Sequence, residues 1–279
     1  MIANGLHRGV PMWQYLGLEA MGSSHLAALA TSPLHYQHLL SRPERETEST
    51  NLGSAVHTAV LEPEQFDALY VTEPDPEKVA PGYEKPRATK AFKEARKALE
   101  ATGRQVIKFE VADRIGEMAD AVRANPLVAK LLAKAPEREI TMIWDRDGRR
   151  CRGRADMLGD IVLGDLKTTR SLPRFSPFEI TTFRYHLQLA HYVDGLRRLG
   201  RDIKHVYLVA VESSPPYDVA VYEMDEAIAF GALELDELMA RLLECERSNA
   251  WPGMFPTMQV GHITDRYAAE IAVEAEEVA

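Results

Sequence analysis

The sequence predicts an α/β domain with a helical N-terminal part, and three observations carry that reading. Helical periods interrupted by proline fill the chain up to about residue 135. Three short strand-like runs between residues 139 and 168 are separated by Asp147-Gly148 and Gly159-Asp160, which read as turns. A helical stripe then precedes two further strand-like runs and a long closing helix. The 279 residues, 46% of them hydrophobic, suffice for one large domain with a substantial core.

The elements follow in order. Ser23 or Ser24 can cap a helix running to about Leu40. Residues 41–51 are polar and read as a loop. A helix follows from about Gly53 to Tyr70. Residues 71–90 hold Pro74, Pro76, Pro81 and Pro86 among charges, the pattern of a long exposed loop. Helices are expected over 89–101, 111–124 and 126–134, the last two divided by Asn125-Pro126. Strands are expected at 139–145, 150–157 and 161–168. A helix over 184–199, strands at 204–211 and 218–223, and a helix over 225–248 complete the chain. We read residues 1–279 as a single domain: a mainly helical part over 1–135, a core over 136–211, and a C-terminal strand and helix over 212–279. There are no internal repeats and no low-complexity segments.

The chemistry concentrates in the second and third strands. Side chains alternate faces along a strand, so Asp165 and Lys167 point the same way. Hairpin pairing can bring Asp156 beside Asp165. Two adjacent carboxylates repel unless a proton or a divalent cation lies between them. A lysine beside that cation can hold a water, which makes a compact kit for metal-assisted phosphodiester hydrolysis. Asp-x-Lys on a strand is more often a solvated face. Here, however, Ile161-Val162-Leu163 delivers both charges from a buried type of run, where an unpartnered charge is costly.

Two further segments bear on this pair. In the 184–199 helix, Leu187, Ala190, Leu196 and Leu199 form a buried stripe, and Gln188 and Tyr192 share a face. Upstream, Gly53 and His57 are one helical turn apart, which leaves room for another group to approach the imidazole. A packed core histidine is the simpler account of His57; a ligand role gains weight because the carboxylate pair needs further donors.

Composition points to a reducing compartment and a cytoplasmic location. Cys151 and Cys245 have no partners at zinc-site spacing, and two cysteines build no disulfide framework. No apolar run reaches membrane-spanning length, and the N-terminus lacks the charged start and apolar block of a signal peptide. The net charge of −9 disfavours general affinity for nucleic acid. Acidic residues gather in 234–246 and 270–277, whereas Arg146, Arg149, Arg150, Arg152, Arg154, Arg170, Arg174 and Arg184 surround the candidate site. They read equally as a basic track for a phosphate backbone or as charges balancing Asp145, Asp147 and Asp160.

The motifs in order are Gly-Ser-Ala-Val-His57, Gly-Arg-Ala-Asp156, Asp165-Leu-Lys167-Thr-Thr and Tyr185-His-Leu-Gln188-Leu-Ala-His-Tyr192. Together they resemble the PD-(D/E)xK nuclease superfamily, and within it the phage and prophage exonucleases related to RecE. Ser23-Ser24-His25-Leu26, Ser32-Pro33-Leu34-His35-Tyr36 and Leu61-Glu62-Pro63-Glu64-Gln65-Phe66 extend the likeness to roughly residues 22–211. Ala155 stands where the superfamily's name has proline, a position that takes no part in the chemistry.

The resemblance implies a restriction-endonuclease-like core, a mixed sheet flanked by helices. It implies two Mg²⁺ ions, with Mn²⁺ as substitute: Asp156 bridging, Asp165 and the Leu166 carbonyl on one ion, His57 completing a shell. Lys167 would orient the attacking water. Gln188 and Tyr192 would hold Lys167 or the scissile phosphate. Glu62, five residues past His57, is expected to face another side. The implied activity is 5′-to-3′ degradation of linear double-stranded DNA by a ring-shaped homo-oligomer, with a single-strand annealing protein as partner and no membrane association. Alternatives are an endonuclease, a module of a helicase–nuclease assembly, and a non-catalytic DNA-end-binding protein. Two cysteines cannot ligate the iron–sulfur cluster that often accompanies helicase-associated modules, and none of Asp156, Asp165 and Lys167 is lost.

Overall fold

The computed structural model describes residues 2–41, 48–255 and 257–258. The element order is β1 (Gly5–His7), α1 (Met12–Leu16), α2 (Ser23–Thr31), α3 (Pro33–Leu40), α4 (Glu48–Leu61), α5 (Pro63–Leu69), β2 (Tyr70–Thr72), α6 (Pro76–Val79), a 3₁₀ turn (Pro86–Ala88), α7 (Lys90–Glu100), β3 (Gln105–Ile107), α8 (Phe109–Ala124) and α9 (Pro126–Lys134). Then come β4 (Glu137–Arg146), β5 (Arg149–Leu158), β6 (Val162–Thr169), α10 (Leu172–Arg174), a π turn (Phe175–Glu179), α11 (Ile180–Thr182), α12 (Tyr185–Arg198), β7 (His205–Glu212), β8 (Val219–Glu223) and α13 (Asp225–Ser248). The acidic run at 270–277 and most of the expected 41–51 loop lie outside the described residues.

Six strands form one mixed sheet in the order β1-β4-β5-β6-β7-β8, antiparallel throughout except for the parallel pair β6 and β7. A parallel pair needs a crossover, and α12 supplies it. This is the α/β architecture expected, a mixed sheet with helices on both faces. Asp147 at φ 52° and Gly148 at φ 77° turn β4 into β5, the two left-handed residues that a tight hairpin demands.

The two faces of the sheet bury two apolar layers. Leu163, Leu208 and Ala210 pack with Leu187, Leu189 and Leu196 of α12 and Leu235, Leu238 and Leu242 of α13. Val162, Leu166, Val209 and Val211 pack on the other face with Val56 and Val60 of α4, Ile115, Met118 and Val122 of α8, and Val128 and Leu131 of α9. The alternation along β6 and β7 is strict, as a sheet buried on both faces requires. Trp144, 1% exposed, lies against α12 so closely that a Cβ on Gly195 would come within 2.7 Å of its indole. Truncating such a ring costs about 3–5 kcal/mol.

Several expected elements are divided or shifted. The helix expected from Ser23 to Leu40 is two helices, because Ser32 is extended (φ −171°) and its Oγ accepts from the His35 N–H at 3.2 Å, capping α3 ahead of Pro33. The helix expected over 53–70 starts earlier, at Glu48, and breaks at Glu62-Pro63, since proline cannot continue the ladder of α4. The expected loop over 71–90 contains α6, a 3₁₀ turn and the end of β2, which pairs in parallel with β3. It is held by the buried Glu73 carboxylate, which takes Arg87 at 2.6 Å and Arg96 at 2.7 Å. Ile161, expected in the third strand's buried run, is 48% exposed and lies in the turn before β6. Strand β1, helix α1 and the helical turns over 172–182 have no counterpart in the sequence reading.

The arginines of the hairpin are structural. Arg146 is buried between Asp194 at 3.2 Å and Asp236. Arg149 pairs with Glu246 at 2.6 Å. Arg150, Arg152 and Arg154 donate to carbonyls of Ile2, of Tyr15, Leu16 and Leu18, and of Val10, fastening the N-terminal segment across the sheet. They form no open basic track: Arg146 also meets Asp147 at 3.5 Å and Arg154 meets Glu139 at 3.9 Å within the hairpin, but their other charged and carbonyl partners lie outside it.

Candidate metal centre

The site lies where β5 parts from β6. The two strands pair only at Met157 with Gly164 and Leu158 with Leu163. Earlier in β5, the outer edge is taken by Met21, whose N–H donates to the Arg150 carbonyl and whose carbonyl accepts from Arg152, both at 2.9 Å. Between these two closures the edge of β5 is open, and Asp156 stands at the fork. Alternation also breaks there: Ala155 and Leu158 pack in one layer and Met157 in the other. The Asp156 Oδ2 accepts from the Leu166 N–H at 2.7 Å, so a side chain fills a place where a ladder bond would run.

Across the sheet from Asp156, the unbroken register of β4 and β5 places Glu139, the one position in that stretch without a recorded ladder partner. Glu139 is left-handed at φ 49°. For a side chain larger than glycine that conformation costs about 1–3 kcal/mol, and such strain collects at functional sites. Sequence reasoning missed Glu139. It lies at the edge of an expected strand, and neither spacing nor strand periodicity marks a glutamate that leaves the extended conformation.

The expected residues do come together. His57 Nδ1, on α4, is 3.4 Å from Asp156 Oδ2 and 4.0 Å from Glu139 Oε1. The ligand atoms of His57, Glu139 and Asp156 lie within 4.8 Å of one another. Asp165, 2% exposed, holds the Lys167 ammonium 2.6 Å from Oδ2, off the line of a well-directed hydrogen bond, so that oxygen is buried without an aligned donor. Its Oδ1 accepts from Gln188 Nε2 at 3.1 Å, and the same amide donates to the Tyr192 hydroxyl at 3.1 Å. Gln188 therefore holds the Asp165 carboxylate rather than Lys167, whose further neighbour is the Tyr185 ring at 5.1 Å. Gly153 makes room for this helix: a Cβ there would meet the Tyr192 ring at 2.8 Å. Leu166 is buried and brings its N–H to Asp156.

Two details qualify the expectation. A Cβ at Gly53 would point to Thr168 Oγ1 at 3.9 Å, an ordinary contact, so Gly53 faces β6 rather than clearing space beside His57. Glu62 lies just past the end of α4, where its Oε1 accepts from Gln65 Nε2 at 2.7 Å. Because α4 ends at Leu61, helical spacing from His57 does not fix the direction of Glu62; its charge adds to the upward shift of Glu139.

Electrostatics follow from crowding acids in a dry place. Burial pushes Glu139 up to about 8, with the Asp156 charge adding to it. Burial also raises Asp165, to about 6, with Asp156 adding and Lys167 opposing. For Lys167 burial works against the charge, but the Asp165 and Asp156 carboxylates outweigh it and hold the ammonium above its usual range. Burial likewise raises the Tyr185 and Tyr192 hydroxyls, which stay protonated. Three carboxylates, one of them with a buried oxygen that lacks an aligned donor, and one imidazole are a donor set that fits a hard divalent cation. A second group, His205, Glu223 and Asp225 at the β7–β8 edge, is exposed, and Asp225 Oδ1 already accepts from the Val206 N–H at 2.8 Å.

The family model of the PDDEXK-like domain of unknown function (DUF3799) matches residues 22–260. The chain belongs to this family. Its fold also matches a crystal structure from Eubacterium rectale named "Putative exonuclease", with a TM-score of 0.62 and 13% identity, covering 91% of this chain and 96% of that one. A second structure, SSO0001, overlaps over 88% of this chain and all of that one at 15% identity, but its TM-score of 0.29 carries no argument. No curated protein matches the sequence. Among the described residues no helix is long and apolar enough to cross a membrane.

Proposed function

We propose that this chain is a divalent-metal-dependent deoxyribonuclease, an exonuclease acting 5′-to-3′ on the ends of linear double-stranded DNA. The observation that carries the reading is the meeting of Asp156, Asp165 and Lys167, with Glu139 and His57, at the fork between β5 and β6. Membership of a PDDEXK-like family supports the reaction class, and the motif likeness to RecE-related exonucleases supports polarity, a homo-oligomeric assembly and a single-strand annealing partner for phage-type recombination or repair. A cytoplasmic location is supported by two buried cysteines left as free thiols.

Asp156, Asp165, Glu139, His57 and the Leu166 carbonyl would hold two Mg²⁺ ions, or Mn²⁺ in their place, which the imidazole favours. Bound there, such ions supply Lewis acidity to the phosphate and a more acidic water. The chain's own residues do the rest. Lys167, beside Asp165, would orient a water and offset charge as the phosphorane forms. Gln188 fixes the Asp165 carboxylate from α12, and Tyr192 backs Gln188. The test is a linear duplex labelled at one end against closed circular DNA, each with Mg²⁺, Mn²⁺ or EDTA. Metal-dependent release of label from linear DNA alone is expected; cleavage of the circle makes the chain an endonuclease, and no cleavage with either metal removes the reading.

A further inference from the structure

The segment between β6 and α12 presents aromatic rings that the fold does not use. Its middle is well anchored. Phe175 is buried and stacks on Tyr185 and Tyr222 at centroid distances of 5.8 and 5.3 Å. Ile180 is buried, and Thr169 Oγ1 donates to Glu179 Oε2 at 2.8 Å. Phe178 and Phe183 on either side are nevertheless each 57% exposed. A segment pinned this firmly holds its outward rings in place.

Those rings lead to the candidate site. Phe183 lies 5.8 Å from the Tyr185 ring, and the Lys167 ammonium stands 5.1 Å over that same ring. One cation lies at the rings, the Arg174 guanidinium 5.9 Å from that of Phe178, and Arg170 is exposed on the same connection, just past β6. On a chain of net charge −9, this rim keeps exposed arginines while those of the β4–β5 hairpin are spent on carbonyls and carboxylates. Exposed rings beside arginines suit nucleobases, because every base has a π face and the cations follow its phosphates. A base inside a duplex has both faces covered by its neighbours, so the rings require unpaired bases.

We propose that Phe178 and Phe183 form a stacking platform for unpaired bases of the strand whose backbone lies at Lys167. The chain then grips single-stranded DNA beside the scissile bond and works best on ends that carry an unpaired stretch. This rests on the nuclease reading for the identity of the ligand, and its test does not require turnover.

Single-stranded DNA carrying 2-aminopurine is titrated with the full chain in EDTA and, in parallel, in Ca²⁺. Quenching is expected with the wild type, with tighter binding of single strands than of a blunt duplex. The Phe178→Ala, Phe183→Ala double variant should lose quenching and bind single strands about tenfold more weakly, with blunt-duplex affinity and melting temperature unchanged. Phe178→Leu, Phe183→Leu keeps apolar bulk without the rings and should behave like the alanine pair. Wild-type quenching in the leucine variant overturns the proposal. So does an alanine variant that binds DNA normally but changes its molar mass in solution, which would make the rings a contact between copies. Quenching without hydrolysis in Mg²⁺ or Mn²⁺ refutes the nuclease reading and leaves the platform standing; hydrolysis without quenching refutes the platform alone.

Discussion

Asp156 and Leu166 are joined by a 2.7 Å hydrogen bond from backbone N–H to carboxylate, at the point where β5 and β6 cease to pair. One Asp156 oxygen thus fixes the fork, and the same oxygen lies 3.4 Å from His57 Nδ1. A residue so placed orients the strands and faces the candidate ligands together.

The two aspartates should separate in stability though not in activity. Asp156→Asn and Asp165→Asn should each abolish cleavage. The Asp156→Asn change eases the repulsion with Glu139, so the metal-free melting temperature should hold or rise. The Asp165→Asn change strips the mostly buried Lys167 of its counter-charge and should cost roughly 1–3 kcal/mol. Cleavage at near wild-type rate by either variant would remove the site assignment.

Lys167→Ala should lower turnover by at least ~100-fold if the ammonium positions the attacking water. DNA binding in the presence of metal should largely survive. Weaker DNA binding with unchanged single-turnover rate would make the lysine a phosphate contact only.

His57→Ala should raise the Mg²⁺ or Mn²⁺ concentration needed for half-maximal activity and leave metal-free melting nearly unchanged. A packed core histidine would instead give up about 1–3 kcal/mol of metal-free stability with no change in metal requirement.

Glu139 gives a pH prediction with a definite sign. Its folded pKa of about 8 lies above its ordinary value of 4.5, so the native state binds the extra proton. The metal-free chain should therefore lose stability as pH rises from about 4.5 through 8, by a few kcal/mol in all. Glu139→Gln should flatten that slope, as measured by denaturant unfolding at several pH values in EDTA. An unchanged slope would show that the proton resides elsewhere.

Much of the sheet was legible because β6 and β7 alternate cleanly and Asp147-Gly148 can do little but turn. Asp156, Asp165, Lys167, Gln188 and His57 were readable because each sits on a regular element, where spacing fixes direction. Glu139 was not, since its left-handed backbone arises from the fork and not from its neighbours in sequence. The hairpin arginines misled for a related reason: their partners, such as Tyr15, Asp236 and Glu246, are separated from them by roughly a hundred residues or more, and local charge counting cannot see them. The divided helices at Ser32 and Glu62 were marked by Pro33 and Pro63, and a stricter reading of proline would have found both breaks.

The shallow pairing of β6 with β5 bears on what could be cut away from this chain. Every candidate ligand lies at or before Tyr192, yet β6 is held to β5 by two residue pairs and to β7 along its whole length, from Val162 to Thr169. A fragment ending after α12 would contain each named side chain and lack the strand that keeps Asp165 and Lys167 in line. The smallest autonomous piece is therefore longer than the motifs suggest, and it has to reach beyond Glu212.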